Sequence, residues 1–348
     1  MSETGSDPSY GASKSAALRI TVLSDAPDGP PGIDRLDGRA EIVLAHDEDS
    51  LRRALPGSQI LLVTDFRTDA LEAAWDAADS LEWVHAASAG VDQLMFDDLI
   101  ESDIPVTNAQ GIFDRNIAEY VLTQILMFAK DSAHNLVYQQ AERWVHRDTE
   151  TIEHKHVLVV GAGSIGHAIG RLCRAAGMQV SGVARRAREA DDVFDAVYAQ
   201  TDLDALLPKA DYVVVAAPLT ESTEGLFDAP RFAAMATHAR FINIGRGAIV
   251  VTEDLVAALE ANEIAGAALD VFETEPLPTG HPLWAMDNVL ISAHMAGDFI
   301  GWREALIDQF IANLSRWQDR QPLFNRVSKR YGYAPSQGVD ESTPSASN

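Results

Sequence analysis

The sequence predicts an α/β protein with parallel sheets, arranged as two units. Three observations carry this. First, the stretch Lys155–Arg186 opens on an apolar, β-branched run, Val157–Val160, passes through Gly161, Gly163 and Gly166, continues with helical periodicity and ends in a second strand, Met178–Val183. Short apolar runs of this kind read as buried parallel strands. Second, short apolar strands alternate with helical patterns from Leu18 to Asn108, with no glycine fingerprint of their own. Third, the chain has 348 residues, 47% of them hydrophobic, enough for two cores.

In chain order, residues 1–17 are rich in Ser, Gly and Ala and are expected to be disordered, as is the polar tail 334–348. Strands are predicted at Arg19–Leu23, Glu41–Leu44, Gln59–Thr64, Glu82–Ala86 and Val106–Asn108, with helices at Asp47–Leu55 and Asp69–Ala77. Asn116–Gln139 is apolar-periodic without Gly or Pro and predicts one long helix linking the units. Later strands are expected at Tyr212–Ala216, Arg240–Ile244, Gly266–Val271 and Val289–Ser292. Ala296–Gln318 is amphipathic and is expected to cross back, as a helix, onto the first unit. The expected division is 18–108 with 296–330 as one domain, and 109–295, including the linking helix 116–139, as the other.

The formal charge is −25, from 52 acidic and 27 basic residues, of which 22 are Arg and 5 Lys. That balance argues against nucleic acid as a partner. Self-repulsion of this size destabilises a compact state in dilute buffer, whereas at 1 M salt the screening length falls to ~3 Å. An acidic chain so poor in Lys is the composition expected of a protein from a salt-loving organism. Cys173 is the only cysteine, so no intrachain disulfide is expected; it lies on the apolar face of a predicted helix and is expected in the core. No N-terminal stretch joins a basic region to an apolar one, and no run is long enough to span a bilayer. A cytoplasmic protein without a membrane partner is expected. No Cys/His cluster calls for a metal.

The strand–glycine–helix–strand order makes the G-x-G-x-x-G spacing specific for a dinucleotide. Gly161 allows the tight turn, Gly163 the approach of the pyrophosphate, and Gly166 close helix–strand packing. The N–H groups of Ser164 and Ile165 then lie at a helix N-terminus, where anions are favoured. Enzymes of this fold that use NAD place an acid at the end of the second strand to bind the ribose 2′-hydroxyl. Here that position is Ala184, followed by Arg185 and Arg186, which predicts NADPH in preference to NADH. The alternative is a solvated basic pair opening a loop.

Three strand ends then carry chemistry. Phe241–Val250 ends a strand in Gly245–Arg246–Gly247, and the planar fork of Arg246 matches a carboxylate. Ala268–Pro276 holds Asp270, with Glu273 and Glu275 beyond it. Asn288–Gly297 places His294 just past another strand. An Arg, an acid and a His at three ends of one nucleotide-binding sheet form a candidate site.

The motifs GAGSIG, PLTEST, INIGRGAIV, LDVFETEP and AHMAG resemble those of the D-isomer-specific 2-hydroxyacid dehydrogenases, in the family's order, from about Ala86 to Trp317. The resemblance implies two flavodoxin/Rossmann-like domains, an active site in the cleft between them, and a homodimer. It places the catalytic Arg on Arg246, the acid on Glu275 and the His on His294, with Glu273 as competitor for the acid. It assigns the nicotinamide amide to Asp270, further cofactor contacts to Pro218, Thr223 and the backbone of Ile244, and the substrate carboxylate to the N–H groups of Ala89 and Gly90 in Ser88–Asp92.

These types suit reduction of a 2-oxo acid to a 2-hydroxy acid. His294 is the proton donor, Glu275 favours its imidazolium, and Arg246 binds the carboxylate and polarises the carbonyl. Ala293 stands where many relatives have Pro, which removes no catalytic group. The linking helix is expected to form much of the dimer interface, with Trp144 either reaching the partner's active site or serving as a core aromatic. The rival function is a non-catalytic NAD(P)-sensing protein on the same fold.

Overall fold

The structure, a computed structural model, describes residues 18–64 and 69–334. The disorder expected of 1–17 and of the tail beyond Ala334 falls outside the described residues.

The first sheet contains β1 (Arg19–Leu23), β2 (Glu41–Ala45), β3 (Ile60–Val63), β4 (Trp83–Ala86) and β5 (Val106–Thr107) in the order β2-β1-β3-β4-β5. Every pairing is parallel, with Val22 facing Leu44 on one side and Leu62 on the other. Its short strands are mostly apolar because both faces are covered. One face packs Leu61, Val63 and Val84 against Leu51 of the helix Glu48–Ala54 and Leu55 just after it; the helix starts with a capping box between Asp47 and Ser50. The other face packs Ile20, Val22, Ile60, Leu62 and Trp83 against Leu306, Ile307, Phe310 and Leu314 of the helix Trp302–Gln318.

The second sheet contains β6 (His156–Val160), β7 (Gln179–Ala184), β8 (Val197–Ala199), β9 (Tyr212–Val215), β10 (Arg240–Asn243), β11 (Gly266–Leu269) and β12 (Val289–Ile291). Its order is β12-β11-β10-β9-β6-β7-β8, again wholly parallel. β6 has β7 on one side and β9 on the other, so the chain order reverses there. Ligands of open α/β sheets bind outside the carboxyl ends of the strands at such a point.

The expected single helix over 116–139 is two: Asp114–Ala129 and Ser132–Gln140. Asp131 between them has φ +49°. Its carboxylate binds Arg147 and His134, and Arg147 also reaches the Asp131 carbonyl at 3.2 Å and Asn135 Oδ1 at 2.7 Å. Bonds from a downstream segment offset the left-handed residue, and local periodicity does not register them. The Asp114–Ala129 helix is a core element: Ile117, Val121 and Ile125 pack with Ile169 and Cys173 of the helix Ser164–Ala175. The more exposed apolar side chains, Leu136, Val137 and Trp144, fall later, although Leu126 of Asp114–Ala129 is exposed as well. The expected helix over 296–318 starts only at Trp302, because Gly301 at φ +92° forms its N-cap. β8, three residues on the sheet edge, carries too little pattern to be predicted. Among the described residues no helix is long and apolar enough to cross a membrane.

Candidate active site

The glycine loop joins β6 to the helix Ser164–Ala175. Gly161 has φ +110°, and a Cβ there would lie 2.4 Å from the backbone N of Ala217; a Cβ at Gly166 would lie 2.1 Å from the Gly161 carbonyl oxygen. Gly163 has nothing within 4 Å of its Cβ position. Two glycines are therefore required by packing, and the middle one borders open space where a pyrophosphate fits against the helix N-terminus. Ser164 Oγ accepts from Gln110 Nε2 at 3.3 Å, and Ile165 is half-buried behind it. Asp114 bonds the same serine, and burial raises its pKa.

At the end of β7, Ala184 is followed by exposed Arg185 and Arg186. Arg185 lies 3.7 Å over the ring of Tyr331. Arg188 was not anticipated. It donates to the carbonyl of Ala162 at 2.7 Å, which brings its guanidinium to the glycine loop. The sequence signal was a third arginine on the same loop, beyond the pair nearest the strand.

Pro218 is exposed after β9, while Thr223 is buried with its hydroxyl used inside the loop, donating to Pro218 O at 2.7 Å and accepting from Thr220 N at 2.8 Å. Ile244, also buried, donates its N–H to Val215 O at 3.1 Å. Both are built into the site's wall, with Thr223 shaping the loop.

Arg246 leaves the end of β10 on a turn organised by buried Asn243, which accepts from Gly245 N at 3.0 Å and donates to the Arg246 carbonyl at 3.0 Å. The guanidinium crosses to the first unit, where its Nε and NH2 groups meet Asp92 Oδ1 at 3.1 and 3.0 Å. A Cβ on Gly90 would fall 1.6 Å from that NH2. Gly90 thus makes room for Arg246 itself. Ser88 Oγ donates to Gly90 O at 2.7 Å and Asn108 Nδ2 to Ala89 O at 2.6 Å. Among the described residues, the Ala89 and Gly90 N–H groups have no protein acceptor. Asp92 stood in the SAGVD stretch as an acid two residues past the glycine, without a role.

Past β12, His294 has φ +49° and donates its backbone N–H to Asp270 O at 2.8 Å. Its Nδ1 lies 2.7 Å from Glu275 Oε2. That hydrogen bond raises the His294 pKa, against burial, which lowers it. For Glu275, burial works upward, but the bonds from His294 and from the Phe272 N–H hold the carboxyl below its ordinary value. Arg246 is near enough for its charge to act on both. Glu273 instead accepts from Thr252 N at 3.3 Å, so geometry pairs His294 with Glu275.

Asp270 is 2% exposed and accepts from Met295 N and Ala296 N, both at 2.9 Å, and from Ser292 Oγ. Ser292 also meets Tyr120 Oη at 2.6 Å. The Asp270 carboxylate thus ties down the His294 loop.

The comparisons agree with this arrangement. Residues 122–296 match the family described as D-isomer specific 2-hydroxyacid dehydrogenase, NAD binding domain. A glyoxylate reductase of Thermofilum pendens is 30% identical over 297 residues, 82% of this chain and 87% of that protein. The structure of a D-isomer specific 2-hydroxyacid dehydrogenase from Xanthobacter autotrophicus Py2, in complex with NADPH and MES, aligns at TM-score 0.79 and 32% identity over 91% of this chain and 100% of its own. An NADPH-dependent glyoxylate/hydroxypyruvate reductase from Sinorhizobium meliloti, in complex with NADP and sulfate, aligns at TM-score 0.79 and 26% identity over 91% and 100%. Two parallel-sheet Rossmann-like domains, joined across a cleft by Arg246, and these matches along the chain give the same answer: the chain belongs to the D-isomer specific 2-hydroxyacid dehydrogenase family.

Proposed function

We propose that this protein reduces a 2-oxo acid to the D-2-hydroxy acid, with NADPH preferred over NADH. The observation that carries the reading is the His294–Glu275 pair at 2.7 Å with Arg246 beside it. The nicotinamide cofactor supplies the hydride to the carbonyl carbon. His294 delivers the proton to the carbonyl oxygen from Nε2, since Nδ1 is held by Glu275. Arg246 and the N–H groups of Ala89 and Gly90 hold the substrate carboxylate, which fixes the face presented to the hydride. Gly163 and the N–H groups of Ser164 and Ile165 hold the pyrophosphate, on a turn whose packing Gly161 and Gly166 allow. Arg185 and Arg188 meet the ribose 2′-phosphate, with Arg186 beside them in solvent. The NADPH-dependent Sinorhizobium relative supports the cofactor preference.

We further place the enzyme in the cytoplasm as a homodimer. The fully exposed Trp144 and the exposed Leu136 and Val137 support a partner surface after Asp131. Absorbance of NADPH and of NADH, followed with a panel of 2-oxo acids, tests the function. Consumption is expected, faster with NADPH, and His294→Ala should lower kcat by ~10²–10⁴ with cofactor affinity kept. Tight cofactor binding without turnover of any 2-oxo acid would favour the sensing protein.

A further inference from the structure

The chain after the helix Trp302–Gln318 is bound tightly to the first unit. Asn108 N–H donates to Asn325 O at 3.1 Å, Val327 N–H to Val106 O at 2.8 Å, and Lys329 Nζ reaches Leu99 O and Ser102 O, both at 2.6 Å. A closed turn follows, with Ser328 N–H to Tyr333 O at 3.0 Å and Tyr331 N–H to Ser328 O at 3.0 Å. The rings of Tyr331 and Tyr333 stack 6.1 Å apart at 29°. Arg185, from the end of β7 in the second unit, lies 3.7 Å over the Tyr331 ring and 5.9 Å from that of Tyr333, and Arg330 lies 5.4 Å from Tyr331. A turn fixed to one unit thus grips an arginine of the other, at the position where the ribose is read.

We infer that Tyr331 is a specificity-determining residue for the cofactor: it holds the Arg185 guanidinium by its face, so that the N–H edge is presented to a ribose 2′-phosphate. A guanidinium stacked on an aromatic face keeps its in-plane donors available. An exposed arginine otherwise loses rotamer freedom when it binds a phosphate, and the stack removes part of that loss before the cofactor arrives. Arg330, gathered on the same ring, adds positive charge. The contact comes from the first unit, so NADPH selection depends on how that unit sits on the second.

The inference rests on the proposed role of Arg185. Its test uses the full chain at one salt concentration, with dissociation constants for NADPH, NADH, adenosine 2′,5′-bisphosphate and 5′-AMP. A cation–π contact of this kind predicts that Tyr331→Ala weakens NADPH and the bisphosphate roughly three- to tenfold, with NADH and 5′-AMP unchanged. Tyr331→Phe, which keeps the ring face, should retain wild-type values. Equal weakening of both cofactors would reduce Tyr331 to a structural support, and an unchanged NADPH constant would overturn the inference alone. Wild-type protein that binds NADH as tightly as NADPH would overturn the reading of the arginine loop and this inference with it.

Discussion

His294 and Glu275 form a unit whose protonation sets the pH range of the reaction. Reduction uses the imidazolium, and the Glu275 bond raises the His294 pKa. The reductive rate should therefore hold through neutral pH and fall as pH rises through that raised value. Glu275→Gln keeps a side chain of the same shape but removes the counter-charge. The alkaline limb of the pH–rate profile should then move to lower pH. A limb that stays in place would assign the coupling to another group. Legibility at this scale follows chain distance. Arg246, Glu275 and His294 were readable because each follows a strand within a motif of a few residues. Asp92 and Arg188 were not, because their partners, Arg246 and the Ala162 carbonyl, lie 154 and 26 residues away.

Among the elements, β4 carries an ionisable group into the core. His85 is fully buried, its Nδ1 is 2.7 Å from Thr107 Oγ1, and its Nε2 has no hydrogen-bond partner. Trp83 Nε1 donates to the same hydroxyl at 2.8 Å, so Thr107 joins both side chains. Burial lowers the His85 pKa from 6.5 to about 3. In the unfolded chain the imidazole protonates near its ordinary value. The stability from keeping it neutral is therefore complete above pH 6.5 and declines between 6.5 and about 3, by ~1.4 kcal/mol per pH unit. His85→Phe should flatten that part of the stability curve, measured by denaturant unfolding at a series of pH values. An unaltered slope would place the acid sensitivity elsewhere.

Apart from β8, the strands were legible from their apolar, β-branched runs, with ends that agree to within two residues. The break at Asp131 was not legible, since Lys-Asp-Ser inside an apolar-periodic stretch looks locally helical. What ends the helix there is Arg147 arriving from beyond it.

At the scale of the whole molecule the net charge of −25 dominates. Its self-repulsion should be relieved by screening. The melting temperature is expected to rise from low to molar NaCl, and sedimentation over the same series should show a dimer at the high end. A melting temperature independent of salt would remove the argument for a salt-loving origin, and a monomer throughout would remove the dimer. The charge was plain in the composition. The apolar stretch after Asn116 was plain too, but sequence could not say that Ile117, Val121 and Ile125 of Asp114–Ala129 face inward.

The return of Trp302–Gln318 to the first sheet also bears on how the molecule is made. During synthesis β1 to β5 emerge first, but the helix that covers Ile20, Val22, Ile60, Leu62 and Trp83 comes after the entire second sheet. Through most of elongation that apolar face lacks Leu306, Ile307, Phe310 and Leu314, and a face left so incompletely covered favours aggregation. The ribosome can release a finished nucleotide-binding sheet while its older neighbour still awaits a lid. A chain stopped before Leu306 would leave that neighbour permanently open.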